Sequence, residues 1–242
     1  MKIYILISII LIHLVSCKES SQPADNTLTE CMPLKTGNYW VYNVIDKGVS
    51  KPDETDKVEG SSQMKIDSSN TATVYTIITY INNDSVNTWY MFKSADTLSI
   101  SANMFFEPLK SVIDLTKIIW LKFPICSENT FQTESSYLEP FTIVIDGTPV
   151  NGKFNHVYQL SYKFASSSQK SVNGKNYSFN RYNCTVNYFE EIAEPEEIVF
   201  TNGSRKRNQF TFPLIIEFSK GAGFLLIQDQ IKTRTIKEIS IK

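Results

Sequence analysis

A strict alternation of apolar and polar residues is the feature that most constrains this chain. Residues 158–164 read Tyr-Gln-Leu-Ser-Tyr-Lys-Phe, and residues 210–218 carry an apolar residue at every even-numbered position from Phe210 to Phe218. Successive side chains of a β-strand point to opposite faces, so this period of two predicts strands with one buried face. Pro213 cannot donate to a ladder, which predicts an edge strand or a bulge at that position.

Aromatic and β-branched residues dominate further segments, as is typical of strands. The clearest are residues 39–45, 73–80, 88–92, 177–189, 223–227 and 231–241.

Short polar segments separate these runs and predict turns. Asn82-Asn83-Asp84 indicates one turn, and Asp229-Gln230 indicates a final hairpin. Asn173-Gly174 is a hairpin signal within a longer polar stretch, so we expect a connection of more than two residues there.

Helical periodicity is scarce. Residues 108–121 are the best helix candidate, because Leu109, Val112 and Ile119 fall roughly on one face, but the segment equally fits two short strands. The predicted fold is therefore all-β: one large curved antiparallel sheet or partly closed barrel, with at most one short helix.

The N-terminus predicts an export signal. After Lys2 comes an apolar run that is shorter than the roughly 20 residues a spanning helix needs. It ends in Leu14-Val15-Ser16-Cys17, which resembles the lipobox of bacterial lipoprotein signal peptides. The resemblance implies removal of residues 1–16 and a diacylglyceryl group on the thiol of Cys17. The alternative is an ordinary secretory signal with a chance cysteine.

The residues after Cys17 bear on the final location. Two or more acyl chains hold a protein stably on a membrane. In lipoproteins that follow the Gram-negative sorting rule, Asp after the cysteine retains the protein at the inner membrane, so Lys18 implies the outer membrane. Lys18-Glu19 also resembles a charged surface-export signal. We expect residues 17–30 to be a flexible tether and residues 31–242 a single β domain.

Composition excludes some classes of function. The formal net charge is −1, so no basic character indicates nucleic acid as a partner. Three cysteines remain besides Cys17, namely Cys31, Cys126 and Cys184, so at least one is a free thiol. Apolar residues alternate around Cys184, which predicts a small core residue there, with a disulfide as the alternative.

Residues 33–42 read Pro-Leu-Lys-Thr-Gly-Asn-Tyr-Trp-Val-Tyr. This segment resembles the opening of uncharacterised Gram-negative envelope lipoproteins whose β domain begins P-L-K-x-G-N-x-W-x-Y. Those proteins often carry a late G-x-G-aliphatic segment, matched here by residues 221–225. We expect Gly37-Asn38 to form a tight turn, and Trp40 and Tyr42 to share one buried face.

Motifs for catalysis or for a cofactor are scarce. His156 is the one histidine after Cys17, which argues against multi-histidine metal sites, and a nucleophilic triad would need it as base. We expect a structural or surface histidine, no catalytic residue, no metal and no cofactor.

Two charged segments have competing interpretations. Glu190–Glu197 contains five acids, which fit either a calcium site or, as we expect, a solvated loop or strand end. Ser204-Arg205-Lys206-Arg207 fits an exposed hairpin tip that binds acidic headgroups or sugars, or simply an exposed tip.

The sequence favours a non-enzymatic, membrane-anchored binding or envelope-support module. One alternative is an acyl-chain or lipid carrier, which requires an apolar cavity. Another is a surface module for glycans or proteins, which predicts that exposed aromatics such as Tyr137, Phe141 or Trp89 cluster in one patch.

Overall fold

A computed structural model of the chain describes residues 32–65, 71–94, 97–101, 104, 120–123 and 130–242. These residues form twelve β-strands. The strands are β1 (Tyr39–Asp46), β2 (Val49–Lys65), β3 (Thr71–Ile81), β4 (Asp84–Ser94), β5 (Thr97–Ser101), β6 (Trp120–Phe123), β7 (Phe131–Ile145), β8 (Thr148–Val172), β9 (Lys175–Glu194), β10 (Lys206–Ser219), β11 (Gly223–Gln228) and β12 (Lys232–Ser240).

All twelve strands belong to one antiparallel sheet in the order β6-β5-β4-β3-β2-β1-β12-β11-β10-β9-β8-β7. Every neighbour pair is consecutive in the chain except β1 and β12, so the first and last strands lie side by side in the middle. The sheet is open and ends at β6 and β7. The predicted all-β fold is confirmed in its first form, one large antiparallel sheet.

The candidate helix at 108–121 lies outside the described residues, apart from its last two positions, which belong to β6. The described part of the chain contains no helix. It therefore contains no helix long and apolar enough to cross a membrane.

The hairpin turns follow the predicted residues. Asn82 and Asn83 have φ angles of 51° and 72° and connect β3 to β4 in two residues. Asn173 and Gly174, with φ angles of 49° and 75°, do the same for β8 and β9. Both positive φ angles fit the type I′ turn, which matches the twist of antiparallel strands.

Our expectation of a longer connection at Asn173-Gly174 is wrong. The polar residues 165–171 continue β8, and Val172 pairs directly with Lys175. These residues lie in a strand because backbone ladder bonds do not depend on side-chain polarity, and residues 165–169 are exposed.

The main hydrophobic core draws buried side chains from β1–β5 and β8–β12. Trp40 and Tyr42 are each 1% exposed and lie in this core, so the structural interpretation of the W-x-Y pair is confirmed. Cys184 is also buried in it as a free thiol. Cys31 and Cys126 lie outside the described residues.

The G-N turn and the late glycine segment also behave as expected. Gly37 has a φ of 87°, and the side-chain amide of Asn38 donates to the backbone carbonyl of Pro33 at 2.7 Å. Gly221 and Gly223 have φ angles of 75° and 91°. A Cβ on Gly223 would lie 2.6 Å from the Sδ of Met32, so this glycine serves both a turn and a close approach.

Pro213 lies in an interior strand, but at a position where only one neighbouring strand pairs with it. β10 pairs with β9 from Lys206 to Phe218, yet it pairs with β11 only from Ile215 onward. The stretch that contains Pro213 is therefore locally an edge, as predicted, and the missing N–H costs no ladder bond on that side.

Candidate functional site

The stretch of β10 beyond β11 is part of a four-stranded extension of the sheet. Residues 131–145, 148–162, 184–194 and 206–214 of β7–β10 pair with one another there, and we call this part the arm. Its β7–β8 hairpin ends in Asp146-Gly147, with φ angles of 49° and 79°. The arm places β7, an edge strand of 15 residues, at the border of the sheet.

Aromatic side chains line one face of the arm. Register explains the arrangement, because Tyr137 pairs with His156 and Tyr158 pairs with Tyr188, and directly opposed residues share a face. We call this row of rings the aromatic face; it comprises Tyr137, Phe141, Phe154, His156, Tyr158, Tyr188 and Phe200.

The rings of the aromatic face are in mutual contact. The centroids of Phe141 and Phe154 are 4.2 Å apart, and those of Tyr137 and His156 are 4.6 Å apart in a stacked geometry. Phe200, from the connection between β9 and β10, stacks on Phe154 at 6.1 Å. Tyr137, Phe141, Phe154 and Phe200 are only half-buried, so the end of the row is accessible.

His156 sits in the middle of this row, buried at 6% exposure. Its Nδ1 lies 2.8 Å from the hydroxyl of Tyr188, and its Nε2 lies 2.8 Å from Oε2 of Glu139. Tyr188 also donates to Glu190, which accepts from Arg207 at 2.6 Å. Among the described residues, the histidine thus contacts tyrosines and carboxylates.

Burial controls the ionisation of the tyrosines beside His156. Loss of solvent raises the pKa of Tyr158 and of Tyr188, and the hydrogen bond to Glu190 raises that of Tyr188 further. Both hydroxyls therefore stay protonated at neutral pH.

An open cleft of about 440 Å³ lies on the β7–β8 hairpin of the arm. It is lined by Pro140, Phe141, Thr142, Asn151, Gly152, Lys153 and Glu194. Gly152 lies opposite Phe141 in the register, and a Cβ there would lie 2.4 Å from the Cζ of Phe141 and 2.5 Å from the carbonyl oxygen of Glu194. The ring of Phe141 therefore covers Gly152, and no other residue fits at position 152 without displacement of the backbone.

Polar groups stand in pairs around the cleft. The hydroxyl of Thr142 donates to Oδ1 of Asn151 at 2.7 Å, and Nζ of Lys153 lies 3.0 Å from Oε2 of Glu194. The cleft thus offers hydroxyl, amide, ammonium and carboxylate groups, with the two charges balanced. Because successive side chains of a strand alternate, these groups lie on the face of the hairpin opposite to the ring of Phe141.

The acidic and basic segments pair with each other across β9 and β10, and Glu191, Lys206 and Arg207 remain exposed. Glu190 lies opposite Arg207 and Glu191 opposite Lys206 in the β9–β10 ladder. Nζ of Lys206 lies 3.4 Å from the ring centroid of Phe189.

Arg205, in the same basic segment, is also internally engaged. Its guanidinium donates to the carbonyls of Ile192 and Ala193 at 2.6 Å and 2.9 Å. Lys206 and Arg207 are exposed, as predicted, but they belong to β10 and pair with β9 across the strands instead of standing free at a tip.

Glu190 to Glu194 end strand β9, as expected of a strand end. No group of three or more His, Cys, Asp or Glu among the described residues is placed to hold a metal ion.

The aromatic residues proposed from sequence separate into two groups. Tyr137 and Phe141 lie together on the aromatic face, whereas Trp89 is 1% exposed in the core beside β3 and is wrongly placed in the proposed patch. Trp89 donates to Thr79 at 3.2 Å. Phe154, Phe200 and Gly152 were missed. The Asp146-Gly147 turn signal would have placed Phe141 across from Gly152.

No protein-family model and no curated protein matches this sequence. Several solved structures are similar in fold. A proposed lipoprotein from Parabacteroides distasonis aligns with a TM-score of 0.42 and 10% identity, over 86% of this chain and 96% of that one. A proposed exported protein with a YmcC-like fold from Bacteroides fragilis aligns with a TM-score of 0.41 and 9% identity, over 85% and 96%.

The hypothetical lipoprotein YmcC from Escherichia coli aligns with a TM-score of 0.28 and 8% identity, over 89% of this chain and 91% of that one. Because all three TM-scores lie below 0.5, these likenesses define neither a ligand nor an activity for this chain.

Proposed function

We propose that this protein is a non-enzymatic lipoprotein of the Gram-negative outer membrane, tethered through Cys17, whose arm binds a ligand on its aromatic face. The tether is supported by Leu14-Val15-Ser16-Cys17, and the outer membrane by Lys18 in place of Asp. Cys17 lies outside the described residues.

The observation that carries the binding role is the clustering of half-buried rings on one face of the arm. Large aromatics normally go into the core, and a contiguous row of partly accessible rings is costly in water unless a ligand or partner covers it. The aromatic face begins at the core, where Tyr158 is buried, and continues to the half-buried rings of Phe154, Phe141 and Phe200.

The surroundings of His156 support a non-enzymatic role. A general base must reach a nucleophile or a substrate proton. Here both ring nitrogens face protein groups, Tyr188 and Glu139, and the ring is stacked on Tyr137. The histidine holds the aromatic face together instead.

A lipid carrier, the alternative from sequence, receives less support. That function needs an enclosed apolar cavity. Among the described residues, the core is filled by large side chains such as Trp40, Tyr42 and Phe224, each at 1% exposure.

Acylation is tested by replacing Cys17 with Ala and following membrane fractionation and intact mass. We expect the wild-type protein to fractionate with membranes and to carry diacylglyceryl mass on Cys17, and the variant to lose both. Cys31→Ala is the matched control, since it removes a nearby thiol and leaves the lipobox intact. A Cys17→Ala variant that stays in the membrane fraction contradicts the proposal.

The binding role is tested by photocrosslinking in intact cells, with benzoylphenylalanine in place of Tyr137. We expect adducts from this position. The control position is Tyr80, a half-buried tyrosine that lines an open cleft on β1–β3. Equal adducts from Tyr80, or none from Tyr137, would remove the reason to place the binding site on the arm.

A further inference from the structure

We infer that the free edge of β7 binds an extended, basic segment of a partner protein as an added strand of the sheet. This inference rests on the proposed binding role of the arm, and it names the kind of ligand that covers the aromatic face.

The edge of β7 offers a row of backbone hydrogen-bonding groups. Asp146 and Gly147 form a two-residue turn, so Ile145 and Thr148 are the hydrogen-bonded pair that closes the hairpin. Every second residue from Ile145 back to Phe131 therefore bonds to β8, and the residues between them direct their N–H and C=O groups away from it. The sheet ends at β7, so no strand of the described residues pairs with these groups.

Pro140 agrees with this alternation and limits the site. It pairs with Lys153 at a position where its missing N–H faces outward, so it costs no bond to β8. An added strand cannot continue its ladder through Pro140, and the longer uninterrupted stretch lies before it. Outward N–H groups are present in that stretch at Gln132, Glu134, Ser136 and Leu138.

The aromatic face lies beside this edge. Tyr137 and Phe141 belong to β7, and their ring contacts are with His156 and Phe154 of β8. Both rings are half-buried, because β8 covers them on one side and no described strand lies on the other. Strand addition places the side chains of the partner next to these rings, since directly opposed residues share a face. Backbone bonds then supply affinity, and the rings select apolar residues at alternate positions.

The charge of β7 indicates a basic partner. The strand contains Glu134 and Glu139 and no Lys or Arg. A second copy of β7 on this edge would bring the carboxylates of both copies to one seam with no cation on either strand, and an anionic lipid surface would be repelled. A basic segment meets neither penalty, and it gains an ion pair opposite the exposed Glu134.

The position of the arm also favours a protein over the membrane. β1 begins at Tyr39, near the proposed tether, and ends at Asp46, which pairs with Lys232. β10 extends beyond that second end, because its pairing with β11 stops at Ile215 and its remainder, back to Lys206, lies in the arm. The arm and the tether are therefore at opposite ends of the sheet.

The experiment measures fluorescence anisotropy of a labelled decapeptide of alternating Val and Lys with full-length protein in micelles of an uncharged detergent. In a strand its valines share one face and its lysines the other. We expect it to bind about tenfold more tightly than the same peptide with Glu in place of each Lys. Ser136→Pro removes one outward N–H and, like Pro140, no bond to β8, so it should weaken binding about tenfold. Ser136→Ala is the matched control, because it keeps the N–H, and it should bind like wild type.

Hydrogen exchange on the wild-type protein is the second measurement, and it decides the matter if Ser136→Pro does not fold. Bound peptide should slow the exchange of the amides in residues 132–138. The inference is overturned by no binding of the basic peptide, by equal binding of the two peptides, by undiminished binding to folded Ser136→Pro, or by unchanged exchange.

The crosslinking experiment at Tyr137 separates this inference from the proposed function. If the inference is overturned while Tyr137 still gives adducts, the arm binds another kind of ligand and only the strand addition fails. If the adducts are absent as well, the proposed function fails with it.

Discussion

The indole N–H of Trp40 donates to the backbone carbonyl of Ala222 at 2.5 Å, across 182 positions of the chain. Two residues on, the hydroxyl of Tyr42 donates to the carbonyl of Phe224 at 3.2 Å. The W-x-Y of the opening segment and the G-x-G of the late segment therefore meet in the core. Gly223 lies between the two acceptors. A side chain at this position would collide with Met32 and press on Trp40. This contact gives a physical reason for the two segments to occur together.

Shortening Trp40 tests how much of the stability depends on this contact. Trp40→Ala should lower the free energy of unfolding by about 3–5 kcal/mol, as for other buried large aromatics. Trp40→Phe keeps much of the packing but leaves the Ala222 carbonyl without its donor, and should cost about 1–3 kcal/mol. Urea unfolding followed by circular dichroism measures both. A Trp40→Ala protein as stable as wild type would show that the ring does not hold β1 in the core.

Gly223 should be far less tolerant of a side chain than other glycines with positive φ. Gly223→Ala adds a steric collision with Met32 Sδ to the cost of the left-handed backbone. Gly174→Ala is the control, because Gly174 has a φ of 75° and open space around it. We expect about 1 kcal/mol for the control, and about 1–3 kcal/mol more for Gly223→Ala, in the same unfolding assay.

A second substitution identifies the cause. Met32→Ala in the Gly223→Ala background removes the colliding sulfur, so the double variant should lose less stability than the sum of the two single losses. Simple additivity would mean that the collision is relieved elsewhere.

A buried ion network joins the last strand to the second. Arg234 on β12 contacts Glu54 at 2.8 Å and Asp56 at 2.7 Å on β2, and its guanidinium lies 4.3 Å from the ring centroid of Tyr42. Arg234→Met leaves both buried carboxylates without this partner and should cost about 3–5 kcal/mol. Thermal unfolding of the variant measures this loss.

The chain contains a matched exposed pair between the same two strands. Nζ of Lys237 lies 2.6 Å from Asp53, with both side chains more than a third exposed. Lys237→Met should therefore cost no more than about 1 kcal/mol, and the loss should shrink further in high salt. Equal losses for Arg234→Met and Lys237→Met would show that burial does not decide the strength of these pairs.

Cys184 should be chemically silent in the folded protein. Burial raises the pKa of its thiol from 9.0 to about 12. In a variant that keeps Cys184 as its single cysteine, a thiol reagent such as DTNB at pH 8 should react only after denaturation. Rapid reaction of the native protein would mean that this part of the core opens readily.

The same shift makes a prediction about alkaline stability. Because the folded pKa is above the unfolded one, the contribution of Cys184 is complete below pH 9 and falls as the pH rises toward 12. Cys184→Ala should therefore flatten the stability profile between these two pH values, which urea unfolding at a series of pH values would measure.

Local sequence patterns were sufficient to predict the strands and most of the turns. Alternation at residues 158–164 and Asn-rich signals at residues 82 and 173 act through neighbouring residues, so one sequence suffices to read them. The error at Asn173-Gly174 arose because the polar end of β8 has no apolar alternation, although its backbone continues the ladder to Val172.

The candidate site depended on pairing over longer distances. Phe141 was proposed from its residue type, but its stacked partner Phe154 and its position over Gly152 follow from the register of β7 and β8. Trp89 is also a large aromatic residue, and only its burial in the core separates it from the aromatic face. The segment that contains Arg205 and Arg207 was predicted to be an exposed tip, and the tertiary structure pairs both side chains with β9.

The sequence by itself determined that the chain forms strands and which faces of them are apolar, and it predicted a lipoprotein signal at its opening, because each of these depends on residues close together in the chain. Only the tertiary structure decided that β1 pairs with β12, that Trp40 meets Ala222 and that seven rings form one face of the arm. These outcomes depend on which strand edges meet, and backbone edges are chemically alike. The choice among them is made by how the side chains of distant strands fill one core, which no local pattern contains.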